Sequence, residues 1–282
     1  MQIKARAKIN WALNVLGRRA DGYHQLEMVN QRLLLADDVY LSPAPAISLE
    51  VEGSPDIPAD ASNLAWRAAM LLKARFDVPQ GVHIRLVKRI PSGAGLAGGS
   101  ADAAAVLLGL NNLWGLGLSL AALRQTAKEL GADLPYCLAG GFARVGGIGE
   151  DITPLSRAPL VDLVLIQPEE SLSTRQVFER FRFDSAGPPA EIPALIQALR
   201  ENRLEDCPLY ARNQLLSAAS ALCPGVLRAR EALMAREAVF AQMSGAGSLV
   251  YGVFENANKA LLAHQELRRN WPVCLISQTV AV

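Results

Sequence analysis

Alternating apolar and polar positions, or short apolar runs, cover residues 3–15, 38–41, 47–51 and 82–87 and predict β-strands there. Apolar residues return every third or fourth position over 63–76, 101–110, 120–130 and 193–201, and again near 215–221, 226–235 and 259–269, which predicts helices. The order is mixed rather than strictly alternating, so the pattern favours α+β layers over a doubly wound sheet. The segment FDSAGPPAEIP at 183–193 reads as a proline-rich surface loop, and residues 153–159 as a connector between lobes covering 1–153 and 154–282. The longest charge-free run, 103–123, is long enough to cross a bilayer, but Asn111, Asn112, Ser119 and three glycines interrupt it. It is read as a buried helix, a turn around 111–117 and the start of a second helix.

Composition changes the picture mainly by exclusion. The chain has 282 residues, 51% of them hydrophobic, which suits one large domain or two lobes sharing a cleft. Lysine and arginine total 28 against 27 for aspartate and glutamate, so no overall field favours a polyanion such as nucleic acid, and any anion site must be local. Cys137, Cys207, Cys223 and Cys274 form no Cys-x-x-Cys pair and the three histidines are scattered, which points to reduced thiols in a cytosol rather than to zinc or a disulfide framework. The opening MQIKARAKIN places charges where a signal peptide needs an apolar core. A cytoplasmic protein with neither nucleic-acid nor membrane partners is expected.

The chemistry concentrates in glycines. SGAG occurs twice, at 92–95 and 244–247, with different sequels: the first leads into small residues and a helical run, the second into SLVYGVF, which reads as a strand. In PSGAGLAGGS at 91–100, glycines permit positive φ and close backbone approach, so successive N–H groups can converge on an anion at the start of the next helix. Phosphate is the expected anion, with an ordinary flexible loop as the competing reading. Two familiar phosphate loops fit poorly. The Gly-x-x-x-x-Gly-Lys-Ser/Thr loop needs a lysine where Ser100 stands, and the dinucleotide fingerprint needs an acidic residue near Leu113, Trp114 and Gly115, where there is none.

The 91–100 segment resembles the phosphate loop of the superfamily of galactokinase, homoserine kinase, mevalonate kinase and phosphomevalonate kinase (GHMP kinases). AKIN at 7–10, RADGYH at 19–24, LGADLP at 130–135, GIGE at 147–150 and MSGAG at 243–247 occur in the order found in one branch of it. That branch phosphorylates a cytidine diphosphate-linked polyol on the methylerythritol phosphate route to isoprenoids. The resemblance covers nearly the whole chain and implies a two-lobed α+β fold with the active-site cleft between the lobes, the first lobe holding the nucleotide. It also shows departures: Ala97 stands for a glycine, Ala101 and Ala246 for hydroxyl residues, and Asn213-Gln214 for an Asn-Asp pair.

For catalysis the resemblance implies Asp133 as the base and Lys8 as its cationic companion. Read by themselves, Asp133 is a turn or helix-cap aspartate and Lys8 a strand lysine. Strand alternation does place Lys8 with Asn10 on the face opposite Ala7 and Ile9. For the substrate the resemblance implies Asn10, Tyr23, His24 and Phe178, with the aromatics stacking on the cytosine and His24 bonding its edge. The competing readings are an amphipathic Tyr-His surface after the Asp21-Gly22 turn, and a core phenylalanine at 178. For ATP it implies Pro91, Gly93, Ala94, Gly95, Leu96, Ala97, Gly98, Gly99 and Ser100, with Asn63 and Lys88 on the adenine side. By default Lys88 and Arg89 read as a solvated strand edge. Mg²⁺ is expected with ATP, with no ligand assigned to it. A sister kinase for mevalonate-like or homoserine-like substrates, a non-catalytic nucleotide-binding regulator and a reductase remain as alternatives.

Overall fold

In a computed structural model that describes residues 1–168 and 171–281, the elements run in the order β1 (Gln2–Arg18), β2 (His24–Ala44), β3 (Ser48–Glu52), α1 (Leu64–Arg75), β4 (Gly81–Val87), α2 (Gly98–Leu113), α3 (Leu120–Ala127) and α4 (Leu134–Ala139). There follow β5 (Phe142–Gly147), β6 (Asp151–Pro154), β7 (Asp162–Gln167), α5 (Thr174–Arg180), α6 (Ile192–Arg200), α7 (Cys207–Tyr210), α8 (Leu216–Leu222), α9 (Gly225–Met234), β8 (Phe240–Met243), β9 (Val250–Phe254), α10 (Ala257–Leu267) and β10 (Val273–Gln278). The residues cluster into two compact units, one made of Met1–Ala7, Leu35–Ser92 and Ala97–Gly140, the other of Lys8–Leu34, Gly93–Leu96 and Gly141–Val282. The units are interleaved along the chain rather than divided at one point, because β1 and β2, at 17 and 21 residues, each begin in one unit and end in the other.

In the first unit, β4 pairs parallel with β3 (Leu49↔Ile84) and antiparallel with the C-terminal part of β2 (Leu41↔Ile84). Helices α1 and α2 pack together beside these strands over a core that includes Val39, Leu41, Leu72, Ile84, Leu86, Leu107 and Leu110. The small residues of α2 have a physical reason. A Cβ at Gly109 would collide with Leu41 and Ile3, and Ala101, Ala103, Ala104 and Ala105 are all buried, so the first half of the helix packs on single methyl groups and Gly109 leaves room for two larger neighbours. Asn63 caps α1, its Oδ1 accepting the Ala65 N–H at 2.9 Å. The 103–123 run resolves as expected into α2, a turn and α3, and no helix among the described residues is long and apolar enough to cross a membrane.

In the second unit, the N-terminal part of β2 pairs antiparallel with β5 (Met28↔Val145), which pairs with β6. A separate antiparallel sheet has the order β10-β7-β9-β8 and carries α9 and α10 against it. Trp11 of β1 is fully buried, edge-on to Tyr251 at 5.9 Å and stacked on Phe240 at 6.5 Å, with its indole N–H donated to Gln31 Oε1 at 2.8 Å. The apolar sequel of the second SGAG forms β9, every residue of which is buried. The residue pattern did not predict the N-terminal part of β2, β5, β6, β7, β8 or β10; β6 takes in residues 153 and 154, the start of the expected connector. Strands such as β7, DLVLIQ, are buried almost throughout, and a continuous apolar run carries no period of two.

Candidate functional site

The glycine loop has two apolar feet, Ala94 and Leu96, both buried, while Ser92, Gly93 and Gly99 stay exposed. Gly93 (φ 60°), Gly95 (φ 71°) and Ala97 (φ 58°) are all left-handed. Gly95 is required by close approach: a Cβ there would collide with the carbonyl of Ser244, and a Cβ on Gly245 would stand 3.0 Å from the carbonyl oxygen of Gly95. The two SGAG segments therefore pack backbone against backbone, and Ser244 Oγ donates to the Gly95 carbonyl at 3.0 Å. Asn213 pins the second turn by donating to the carbonyls of Met243 (2.9 Å) and Gly245 (2.8 Å). Ala97 holds a conformation that costs an L-residue about 1–2 kcal/mol. It precedes α2 without a side-chain cap, so the first-turn N–H groups of that helix receive no side-chain acceptor from their N-cap residue.

Lys8 is buried, and its backbone N–H donates to Leu96 O at 3.1 Å, tying β1 to the loop. Its Nζ donates to Asn10 Oδ1 at 2.8 Å, as alternation along β1 requires. Asn10 Nδ2 donates in turn to Asn30 Oδ1 at 2.6 Å, and the backbone N–H of Asn10 to Ser244 Oγ at 3.3 Å. That chain fixes the Asn10 amide with its oxygen toward the ammonium. Among the described residues Lys8 forms no ion pair, so its charge meets only a neutral amide.

Asp133 occupies the N-cap position of α4 ahead of Pro135, as its bare sequence suggests, yet its side chain accepts no capping hydrogen bond. It is half-buried and belongs to the first compact unit, whereas Lys8 belongs to the second. Asn63 and Lys88, expected on the adenine side, have their polar groups engaged within the protein. Asn63 caps α1 and donates Nδ2 to Pro58 O at 2.8 Å. Lys88 is no solvated strand edge: its Nζ is buried and bonded to both Asp37 and Asp102. Burial alone would lower the Lys88 pKa, and the two carboxylates outweigh it, so its ammonium is held charged.

Tyr23 follows the turn of Asp21 and Gly22 (φ 88°) and is 59% exposed. His24 stacks on Phe178, ring centroids 4.9 Å apart at 22°, with Phe181 edge-on to the imidazole at 6.1 Å. Burial, and then the charge of Arg18, lower the His24 pKa, so its ring is neutral at pH 7. Phe178 is half-buried; the core position in α5 belongs to its neighbour Val177. The structure thus brings Lys8 together with Asn10, and His24 with Phe178. Residue reasoning missed Asn30, Asp37, Asp102 and Ser244. The available signal was polar residues inside apolar strand runs, as in LLLADDVYL at 33–41.

The family model described as GHMP kinases N terminal domain matches residues 63–141, and that described as GHMP kinases C terminal matches 192–273. A 4-diphosphocytidyl-2-C-methyl-D-erythritol kinase of Acetivibrio thermocellus is 36% identical over 99% of this chain and 99% of its own. One of Pelotomaculum thermopropionicum is 40% identical over 98% and 96%. A crystal structure of 4-(cytidine 5'-diphospho)-2C-methyl-D-erythritol kinase superposes with a TM-score of 0.84 at 35% identity, covering 99% of both chains. Glycine loop, buried Lys8 and uncapped Asp133 thus lie in a chain matched along almost its whole length, and the chain belongs to the GHMP kinases.

Proposed function

We propose that the chain transfers the γ-phosphoryl group of ATP to the 2-hydroxyl of 4-diphosphocytidyl-2-C-methyl-D-erythritol, a step on the methylerythritol phosphate route to isoprenoids in the cytoplasm. The observation that carries this reading is Lys8: a buried ammonium that meets a neutral amide and, among the described residues, no carboxylate is costly unless an anion completes the site. The hydroxyl oxygen bonds to the γ-phosphorus as the bond from that phosphorus to the β,γ-bridging oxygen breaks. The hydroxyl proton passes to the Asp133 carboxylate, and ADP leaves. Lys8 offsets the charge spreading over the transferring oxygens, and Asn10 holds Lys8 in place. The loop from Pro91 to Ser100 cradles the phosphates with backbone N–H groups. Tyr23 and Phe178 stack on the cytosine, and His24, neutral at pH 7, hydrogen-bonds its edge.

Magnesium is proposed as the companion of the ATP phosphates, where a divalent ion offsets charge. Among the described residues no group of three or more histidine, cysteine, aspartate or glutamate side chains is placed to hold a metal, so no protein ligand is assigned to it. The test is ADP release in a coupled assay with three acceptors in parallel: the cytidine diphosphate-linked polyol, mevalonate and homoserine. Turnover is expected with the first alone. Turnover with mevalonate or homoserine, or tight ATP binding with no turnover on any acceptor, would overturn the assignment.

A further inference from the structure

The proposed chemistry makes no use of Asp37 and Asp102, yet both carboxylates are buried and both meet one ammonium. Asp37 Oδ1 accepts the backbone N–H groups of Arg89 (2.5 Å) and Ile90 (2.8 Å), and its Oδ2 accepts Lys88 Nζ. Those two amides belong to the last residues before the glycine loop begins at Pro91. Asp102, near the start of α2, accepts the same Nζ on Oδ2, while its buried Oδ1 has no partner among the described residues. One ammonium therefore ties the chain entering the loop to the helix leaving it. Gly98 completes the seat: a Cβ there would stand 3.0 Å from Ile90 Cγ2 and 3.8 Å from Lys88 Nζ.

A buried ion cluster is weak evidence for stability, because the charges lose their water, and well-packed apolar side chains often serve as well. Apolar side chains cannot reproduce directional bonds to two ends of one loop. The Lys88 side chain is also only 3% exposed, which leaves it little to offer a ligand directly.

We infer that Asp37 and Asp102 are positioning residues for the nucleotide: through Lys88 they set the spacing between the two ends of segment 91–100, and so the aim of its N–H groups at the phosphates. Lys88 on this account acts through the loop rather than on the adenine. The inference rests on the reading of 91–100 as the ATP loop.

Two measurements test it and separate it from that reading. Hydrogen exchange without nucleotide compares the amides of residues 92–100 in the wild type and in Asp102→Asn; faster exchange confined to this stretch is expected. Calorimetric titration should then show ATP affinity falling roughly tenfold to a hundredfold, with the polyol KM unchanged. The double variant Lys88→Met/Asp102→Leu replaces the pair by apolar side chains and leaves Asp37 its two backbone donors. It should be less destabilised than Lys88→Met, because only Asp37 is left without the shared ammonium, and still bind ATP as weakly as Asp102→Asn. Wild-type ATP affinity in the double variant would make the cluster merely structural and overturn the inference. So would unchanged affinity in Asp102→Asn, which would return Lys88 to direct contact, or equal losses for ATP and polyol. If Asp102→Asn does not fold, the double variant decides alone. A loop loosened by Asp102→Asn in a protein whose wild type binds no ATP would support the positioning role and overturn the kinase reading instead.

Discussion

Two buried lysines of this chain face opposite electrostatic company. Lys88 lies between two buried carboxylates, while Lys8 has the neutral oxygen of Asn10. A cation already matched by anions within the fold has a structural partner in place, whereas one left beside an amide keeps its attraction for an anion that arrives with a ligand. The same residue type at similar burial is thus distinguished by its neighbours, and its own hydrophobic context in the strand tells little.

The largest expected effects would break the comparison on the Lys8 side. Asp133→Asn keeps the shape of the side chain but cannot accept the proton, so kcat should fall about 10²–10⁴-fold with ligand affinities within a few-fold. Lys8→Met should cost about 10²–10³ in kcat without loss of stability, since it removes a buried charge that no carboxylate among the described residues matches. Steady-state kinetics on variants shown to be folded by circular dichroism decide both. A loss below about fivefold in either would count against its role.

On the Lys88 side the effect should appear in stability. Lys88→Met leaves buried Asp37 and Asp102 without their shared cation and is expected to destabilise the protein by about 3–5 kcal/mol, read from urea midpoints. If Lys8→Met were the more damaging to stability, the contrast between the two lysines would be wrong.

The carboxylates sharpen the contrast through pH. Burial raises the pKa of Asp102 from 3.8 to about 7, against the pull of Lys88. Between those values the unfolded chain has released this proton and the folded one retains it, so the contribution of Asp102 to stability declines as pH rises from about 4 to about 7. The urea midpoint of Asp102→Asn should show a flatter pH dependence across that window than the wild type. Asp38, next to Asp37 in β2, behaves oppositely: burial would raise its pKa too, but Lys4, Arg89 and Gln2 hold it down at about 2.

Smaller effects are expected away from both lysines. Tyr23→Ala and Phe178→Ala should each raise the KM of the polyol roughly tenfold to a hundredfold and leave ATP untouched, since stacking is worth about 1–3 kcal/mol per base. Equal weakening of both ligands would return Phe178 to a packing role. Ala97→Gly should stabilise the folded chain by about 1 kcal/mol, because φ 58° strains a methyl-bearing residue and not glycine; a thermal shift of the opposite sign would refute this.

Local pattern carried much of the helical structure. Residues 63–76 bracket α1 with its caps at Asn63 and Phe76, and the spacing over 193–201 and 226–235 falls within a residue of α6 and α9. These helices expose one face, so their periodicity survives in the sequence. In the β10-β7-β9-β8 sheet, β7 and β8 were less legible, because burial on both faces erases alternation. The site was legible wherever a residue type is demanded locally: glycine at the left-handed Gly95, and Lys8 sharing a strand face with Asn10.

By itself, then, the sequence determined the glycine turns, the capped amphipathic helices and the absence of a net field, each a property of neighbouring residues or of composition. Only the tertiary structure decided that the two SGAG turns interlock, that Lys88 is buried between Asp37 and Asp102, and that His24 lies on Phe178. The physical reason is range. Backbone preference and capping act within a few residues, whereas the cost of a buried charge or a close backbone contact depends on groups 51 residues away, as from Lys88 to Asp37, or 149, as from Gly95 to Ser244.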